Sequence, residues 1–318
     1  MVVTSSRLRR LESHICAAAV AGPQGVERFS LEGKVALVTA GAGDLFGSSV
    51  SEALAEAGAT VLTASRSLQR NLEYAESLRA RGYRAQGYAV DISDVASIRT
   101  LHDEVIAEHG RLDILVNNAL TRDGHVGGWD DVTSTAENIG KVAAGDFTGL
   151  FEMCSAFIPD MQAAGGGSII NISSIYGVVA NDPLLYEGTE MYGKQAPTYG
   201  FVKAGMIQYV YHSGFATLLR LAARPPHIKL REESVHLSQL ACGECMGLNR
   251  YPCRFTKWLA MYYGRDGIRA NSVSPGGYDP EGSGADSTFN RAYSRRTAVG
   301  RMMDNEDIKV CTMVVSST

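Results

Sequence analysis

The 318-residue chain is 45% hydrophobic, enough to bury a large core as one domain or one domain with appendages. Its net charge of −4 and pI near 6.0 give no electrostatic case for nucleic acid, and no apolar run is long enough to span a bilayer. Six cysteines are scattered without the spacing of a small disulfide framework, which fits a reducing compartment and a cytoplasmic location.

Residues 1–30 stand apart as an N-terminal arm. Ser5, Ser6, Arg7, Arg9 and Arg10 precede an apolar run, and Glu12 is the one acid before Glu27. A disordered arm is expected, with a mitochondrial or other organelle transit peptide as the alternative. From residue 31 the chain alternates. The apolar run Lys34–Thr39 ends in the glycine turn Ala40-Gly-Ala-Gly-Asp-Leu-Phe-Gly47, and the helical pattern Val50, Leu54, Ala57 follows. A strand, a glycine turn and a helix start let backbone N–H groups approach a pyrophosphate at a positive helix end. Thr39, Gly41, Gly43, Phe46 and Gly47 are therefore cofactor-binding candidates, an ordinary βα turn being the alternative. Strands are expected at Ala59–Ala64, Ala85–Val90, Leu112–Val116, Ser168–Ser173 and Gly267–Val273, with helices at Leu68–Ala80, Val95–Glu108 and Phe147–Met161. Such alternation predicts a doubly wound parallel sheet, a Rossmann-like three-layer α/β/α domain over 31–318. Asp91, Asn117, Asn118 and Ala119 then fall at the carboxyl edge, where ligands bind in such sheets.

The fifth strand delivers Ser174 to that edge, and the following helix carries Tyr199 and Lys203. No other tyrosine has a lysine four residues on. On a helix the two side chains share a face. An ammonium beside a phenol, whose pKa is ordinarily about 10, favours the phenolate, and a serine hydroxyl can hold a substrate oxygen while its charge changes. The bland alternative is a core aromatic above a solvated lysine.

Val38-Thr39 with its glycine turn, Val90-Asp91, Asn117-Asn118-Ala119, Asn171-Ile-Ser-Ser174, Tyr199-x-x-x-Lys203, Gly267-Ile-Arg-Ala-Asn271 and Ser274-Pro-Gly276 occur in this order. Together they resemble the short-chain dehydrogenase/reductase family from Leu31 to about Ile308. The resemblance implies NAD(P)-dependent hydride transfer at a secondary alcohol or ketone. Tyr199 is the implied acid/base, Ser174 orients the substrate oxygen, and Lys203 lowers the tyrosine pKa and holds the nicotinamide ribose. Asp91 and Ile92 border the adenine, while Asn117–Ala119, Pro275 and Gly276 line the cofactor. A homodimer or homotetramer is implied, built on helices near Phe147–Met161 and Tyr199–Gly264. At the end of the second strand, Ser65 and Arg66 suit a ribose 2′-phosphate, which favours NADP(H) over NAD(H); Asp44 argues mildly against it. The long segment Asn181–Met191 resembles that of relatives acting on sugar acids or surface-sugar precursors. Its Tyr186, Glu187, Thr189 and Glu190 have side chains suited to a polyol, a surface loop being the alternative.

The chain also departs from the family pattern. Ala40 stands where glycine is expected, and Leu120 replaces the glycine after Asn-Asn-Ala. Asp146 takes the place of an asparagine that supports a proton-relay water; as an anion it raises neighbouring pKa values. Deleting Val210–Arg254 brings Met206, Tyr209, Phe255, Trp258, Leu259 and Tyr262 into helical spacing, so these residues read as an insertion that splits one amphipathic helix. Its Cys242, Cys245, Cys253 and His236 are zinc-ligand types, but a single CxxC lacks a matching pair and no metal is expected. Arg301–Ile308 resembles the start of the family's final helix, after which the chain turns to Val310–Thr318 and the seventh strand is missing. The alternative to an enzyme is a non-catalytic nucleotide-binding protein or a defective, mis-spliced product.

Overall fold

The computed structural model describes residues 27, 29–122, 136–189, 192, 196–207, 254–279 and 287–317. Six parallel strands form one sheet: β1 (Val35–Thr39), β2 (Thr60–Ser65), β3 (Ala85–Ala89), β4 (Ile114–Asn117), β5 (Gly167–Ile172) and β6 (Ile268–Val273). Their order is β3-β2-β1-β4-β5-β6, so the winding reverses between β1 and β4. That reversal opens a crevice at the carboxyl ends of these two strands.

Helices cover both faces. They are α1 (Phe46–Glu56), α2 (Leu68–Ala80), α3 (Val95–His109), α4 (Ala136–Val142), α5 (Leu150–Ala163), α6 (Pro197–Ile207), α7 (Arg254–Tyr263), α8 (Thr288–Ser294) and α9 (Asn305–Ser316). Because side chains alternate across a strand, Leu37, Leu62, Leu115 and Ile169 pack with α3, α5, α6 and α7 on one face. Ala36, Val38, Val61, Val116 and Ile170 pack with α1 and α9 on the other. Every β1 side chain is buried, as expected of a central parallel strand.

Two elements differ from the sequence expectation. The helix expected at Phe147–Met161 is preceded by α4 and a π-helical turn, Ala143–Gly149. Wide turns of this kind are concentrated at functional sites, and this one carries Asp146. The chain after Ile308 continues as α9 to Ser316, so Val310–Ser316 are helical. Among the described residues β6 is an edge strand with no seventh beside it. The Arg269 side chain on β6 donates to the carbonyls of Val315 (3.1 Å) and Ser316 (2.9 Å), fixing the end of α9.

Residues 208–253, and with them nearly all of the expected insertion and its cysteines, lie outside the described residues. Met206, Phe255 and Leu259 are buried in one cluster. Trp258 and Tyr262, 42% and 65% exposed, face away from it.

Candidate active site

Each predicted strand-end residue stands on the carboxyl side of the sheet. At the crevice, Thr39 Oγ1 accepts from the backbone N–H groups of Asn118 and Ala119, both at 2.9 Å, tying the end of β1 to that of β4. Asn118 Nδ2 donates to the Thr39 carbonyl at 3.1 Å. Ala40 has φ 52°, the left-handed conformation that explains why glycine is expected there. A Cβ on Gly47 would lie 2.0 Å from the Ala40 carbonyl oxygen, so this turn closes only with glycine at that position.

The start of α1 has features of a phosphate site. Its N-cap, Leu45, makes no side-chain capping bond, and no acid lies in the first turn. The first-turn N–H groups, of which that of Ser48 donates to the Gly43 carbonyl at 3.1 Å, and the helix dipole favour an anion there. Asp44, just ahead, is bound by Arg70, whose Nε also donates to the Ala42 carbonyl at 2.9 Å. The acid that argued against a phosphate thus has its own cation. Ser65 Oγ accepts from Asn71 Nδ2 at 2.9 Å, and Arg66 is exposed beside it. Asp91 accepts from Ser93 N and Oγ at 2.9 and 2.6 Å. The Ser93 hydroxyl, outweighing burial, and then the Arg66 charge hold the Asp91 carboxyl below its usual range. This donor set fits a nicotinamide dinucleotide: helix first-turn N–H groups for pyrophosphate, a hydroxyl and a cation at the end of β2 for the adenine-side ribose.

Ser174 leaves β5 and its Oγ accepts from Tyr176 N at 3.2 Å, capping a tight helical turn at Ile175–Gly177. A Cβ on Gly177 would meet the Lys203 carbonyl carbon at 2.6 Å, so glycine lets α6 approach closely. Ser173 Oγ donates to the Lys203 carbonyl at 2.9 Å and locks that approach. As a result Tyr199 shares a hydrogen bond with Ser174, and Lys203 Nζ lies 5.8 Å from the Tyr199 ring centroid. Lys203 is 4% exposed, and its Nζ donates to the Ile172 carbonyl at 2.8 Å. Asp146, 2% exposed, accepts from Thr121 N at 2.8 Å and lies below the same site.

Burial dominates the electrostatics. It pushes the Lys203 amine from 10.5 down to about 8, with the Asp146 charge opposing. It also raises the Tyr199 phenol above its ordinary value; the Ser174 hydrogen bond lowers it and Asp146 adds to the rise. Burial thus outweighs the favourable contacts of the phenol, while the Lys203 amine beside it donates to the Ile172 carbonyl. A protonated phenol held beside a serine hydroxyl is arranged to donate a proton to a carbonyl oxygen.

An open cavity of about 310 Å³ lies over Ser174 and Tyr199. Phe46, Tyr176, Tyr186, Pro275, Gly276 and Tyr293 are among its walls. Thr39, Ile92, Asn117, Ala119 and Asp146 surround a smaller void of about 10 Å³ behind it. Ser65, Arg66 and Asp91 lie farther along the edge and reach neither. Of the four polar residues proposed for the long segment, Tyr186 lines the cavity. Thr189 Oγ1 donates to the Tyr186 carbonyl, Glu187 is exposed, and Glu190 lies outside the described residues.

Sequence reasoning missed Tyr176, Phe289 and Tyr293 as cavity walls. It also missed a buried relay in which Asn117 Nδ2 donates to Asn171 Oδ1 (2.9 Å) and Asn171 Nδ2 to Thr256 Oγ1 (3.0 Å). The relay fastens α7 to the sheet beneath the site. Asn171 stood within a recognisable motif, but Thr256 gave no signal, since its partner is 85 residues away.

Residues 34–186 match the family model described as short chain dehydrogenase. The D-threitol dehydrogenase of Mycolicibacterium smegmatis is 37% identical over 164 residues, covering 48% of this chain and 57% of that protein. The 3-oxoacyl-[acyl-carrier-protein] reductase of Escherichia coli is 32% identical over 186 residues, covering 57% of this chain and 66% of the other. The chain thus spans less than two thirds of these curated relatives. Among solved structures, a gluconate 5-dehydrogenase from Burkholderia cenocepacia in complex with NADP and tartrate has a TM-score of 0.64 at 24% identity, covering 92% of each chain. An NADPH-dependent 3-quinuclidinone reductase from Rhodotorula rubra has a TM-score of 0.65 at 23% identity, covering 93% of this chain and 91% of the other. With the parallel sheet, these matches identify residues 34–186 as a short-chain dehydrogenase/reductase region.

Proposed function

We propose that this protein is an NADP(H)-preferring oxidoreductase that interconverts a secondary alcohol and a ketone. The observation that carries the reading is the hydrogen-bonded Ser174–Tyr199 pair with Lys203 buried against it, at the mouth of an open cavity. Bound nicotinamide supplies the hydride donor or acceptor at the substrate carbon. Ser174 holds the substrate oxygen. In reduction Tyr199 gives its phenolic proton to that oxygen as negative charge develops, and in oxidation it takes the proton back. Lys203 keeps positive charge next to the phenol and so limits the cost of forming phenolate. Asp146 in turn favours the charged form of Lys203. Thr39, Gly41, Gly43, Phe46 and Gly47 would hold the pyrophosphate side, with Asn117, Asn118, Ala119, Pro275 and Gly276 along the nicotinamide half. Ser65 and Arg66 would take the 2′-phosphate and Asp91 and Ile92 the adenine.

The substrate class follows by analogy with the D-threitol dehydrogenase and the gluconate 5-dehydrogenase: a small alcohol or ketone, polyol or sugar acid. Exposed aromatic side chains on α5, α6 and α7 — Phe151, Phe201, Trp258 and Tyr262 — support a homodimer or homotetramer through those helices. Cysteine usage supports a cytoplasmic setting, with an organelle as the alternative. The test is titration of purified full-length protein with NADPH and NADH, followed by nucleotide fluorescence, with Lys203→Ala and Arg66→Ala as controls. Tighter NADPH binding that loses its preference in Arg66→Ala, and reduction of ketones that disappears in Lys203→Ala, is expected. Failure to bind either nucleotide would sink the reading.

A further inference from the structure

The cavity over Ser174 is walled by phenols and rings. Tyr176 and Tyr186 approach from the two sides of the turn that follows β5, and their hydroxyls are hydrogen-bonded at 3.0 Å. The Tyr186 ring, 8% exposed, packs 5.2 Å from Phe289, whose centroid is 5.7 Å from that of Tyr293. These rings, with Leu185 and Met302, form a small satellite core that makes the outer wall rigid. The Tyr293 hydroxyl accepts from Gly277 N at 2.5 Å and holds the loop after β6 against the same wall.

The Tyr176–Tyr186 pair has one more proton than it uses internally. A phenol hydroxyl carries one donor and acceptor lone pairs. When one O–H donates to the other oxygen, the second O–H and the remaining lone pairs are left for a ligand. Burial, first, and each other's proximity keep the Tyr176 phenol protonated far above neutral pH, and burial also raises Tyr186. Both line the same cavity as Ser174 and Tyr199, which puts the pair near the reacting oxygen.

The charges around the cavity disfavour an anion. Among the described residues its lining contains no arginine or lysine. The Arg296 guanidinium is paired with Asp182, next to Asn181 in the chain, at 2.9 Å. Lys203 is committed to the Ile172 carbonyl, with Asp146 below. A carboxylate entering here would lose water and gain no cation from the described lining, which is costly in a partly buried site. A hydroxyl would find a neutral donor and acceptor, with ring faces to cover its C–H surface.

We propose that the Tyr176–Tyr186 phenol pair is a specificity element that binds a hydroxyl next to the reacting carbon. It makes the site selective for uncharged vicinal diols and polyols, and their hydroxyketones, over the corresponding aldonates. This rests on the oxidoreductase reading and narrows its substrate class by removing sugar acids.

The test compares three substrates with NADP⁺ in the full-length enzyme: a neutral tetritol, the four-carbon aldonate, and cyclohexanol, which has no second hydroxyl. Tyr176→Phe and Tyr186→Phe keep the rings and their packing and delete one oxygen each. The expected result is a preference for tetritol over aldonate of about a hundredfold or more in kcat/KM. Each Phe variant should lose about tenfold on tetritol, the worth of one good hydrogen bond, mainly through KM. Cyclohexanol should change less than threefold. Comparable use of the aldonate, or equal losses on tetritol and cyclohexanol, would overturn the proposal. If no alcohol is turned over, the oxidoreductase reading fails, and calorimetric titration then decides the pocket separately. Tetritol binding that weakens in both variants supports the phenol pair, and no tetritol binding refutes it.

Discussion

Lys203 offers a test in which stability and function should move in opposite directions. Its amine is buried, and burial depresses its pKa from 10.5 to about 8. That difference is worth about 3 kcal/mol at 1.36 kcal/mol per pKa unit. The sign follows from proton counts. Between pH 8 and 10.5 the unfolded chain binds more protons at this site than the native state, so stability rises with pH across that window. Below pH 8 the native state bears the full penalty of a buried ammonium. Lys203→Met removes it and leaves a flexible apolar side chain beside Met206. The variant also orphans the Ile172 carbonyl, which accepts from Nζ at 2.8 Å, at a cost of about 1–3 kcal/mol. The net expectation at pH 7 is a gain of about 1–2 kcal/mol, or roughly 2–8 °C in Tm, with oxidoreductase activity lost. Thermal melts and urea titrations of both proteins from pH 7 to 10 read this directly. The advantage of the variant should shrink as pH rises and turn into a deficit once the wild-type amine is neutral. A variant less stable than wild type at pH 7, or one whose advantage does not depend on pH, would refute the reasoning.

Three further perturbations address separate parts of the fold. Asp146→Asn keeps an acceptor for Thr121 N but removes the charge that raises Lys203 and Tyr199; both pKa values should fall, and the pH profile of kcat/KM for alcohol oxidation should move to lower pH. Ala40→Gly relieves a left-handed alanine, worth about 1–2 kcal/mol less the greater entropy of an unfolded glycine; a modest rise in urea midpoint is expected, and a fall would show that the turn is not strained. His102 bridges α3 and α5 through Nε2 to Asp160 at 2.8 Å, with Nδ1 on Asp103 at 2.9 Å. Burial disfavours its charge, but the two carboxylates prevail and raise its pKa. Its contribution is therefore complete below pH 6.5 and lost as pH rises through the folded value. His102→Gln should cost up to about 1 kcal/mol at pH 6 and little at pH 8.5, as judged by urea midpoints.

Much of the architecture was legible in the sequence, because it depends on local patterns. The runs at Val35–Thr39 and Ile114–Asn117 are apolar on both faces, as central parallel strands must be, and α2 was bounded correctly from its periodicity alone. The strand-end motifs placed Thr39, Asn117, Ser174 and Gly276 on one edge, since the carboxyl ends of parallel strands all face the same way. Ala40 was visible as a misfit at a position that calls for positive φ. Other features arise between elements far apart in the chain and leave no local trace. The π-helical turn at Ala143–Gly149 depends on how that segment meets Thr121 and Ile92. The ionisation of Tyr199 illustrates the same limit. The i, i+4 spacing correctly put Lys203 near the phenol, yet only packing determined that its amine turns to the Ile172 carbonyl and that burial raises both barriers to charge. The residue types and their order thus pointed to the family, the sheet and the candidate catalytic groups. Tertiary structure decided the protonation of those groups and the phenol-lined wall, because desolvation and side-chain pairing depend on neighbours brought together only by folding.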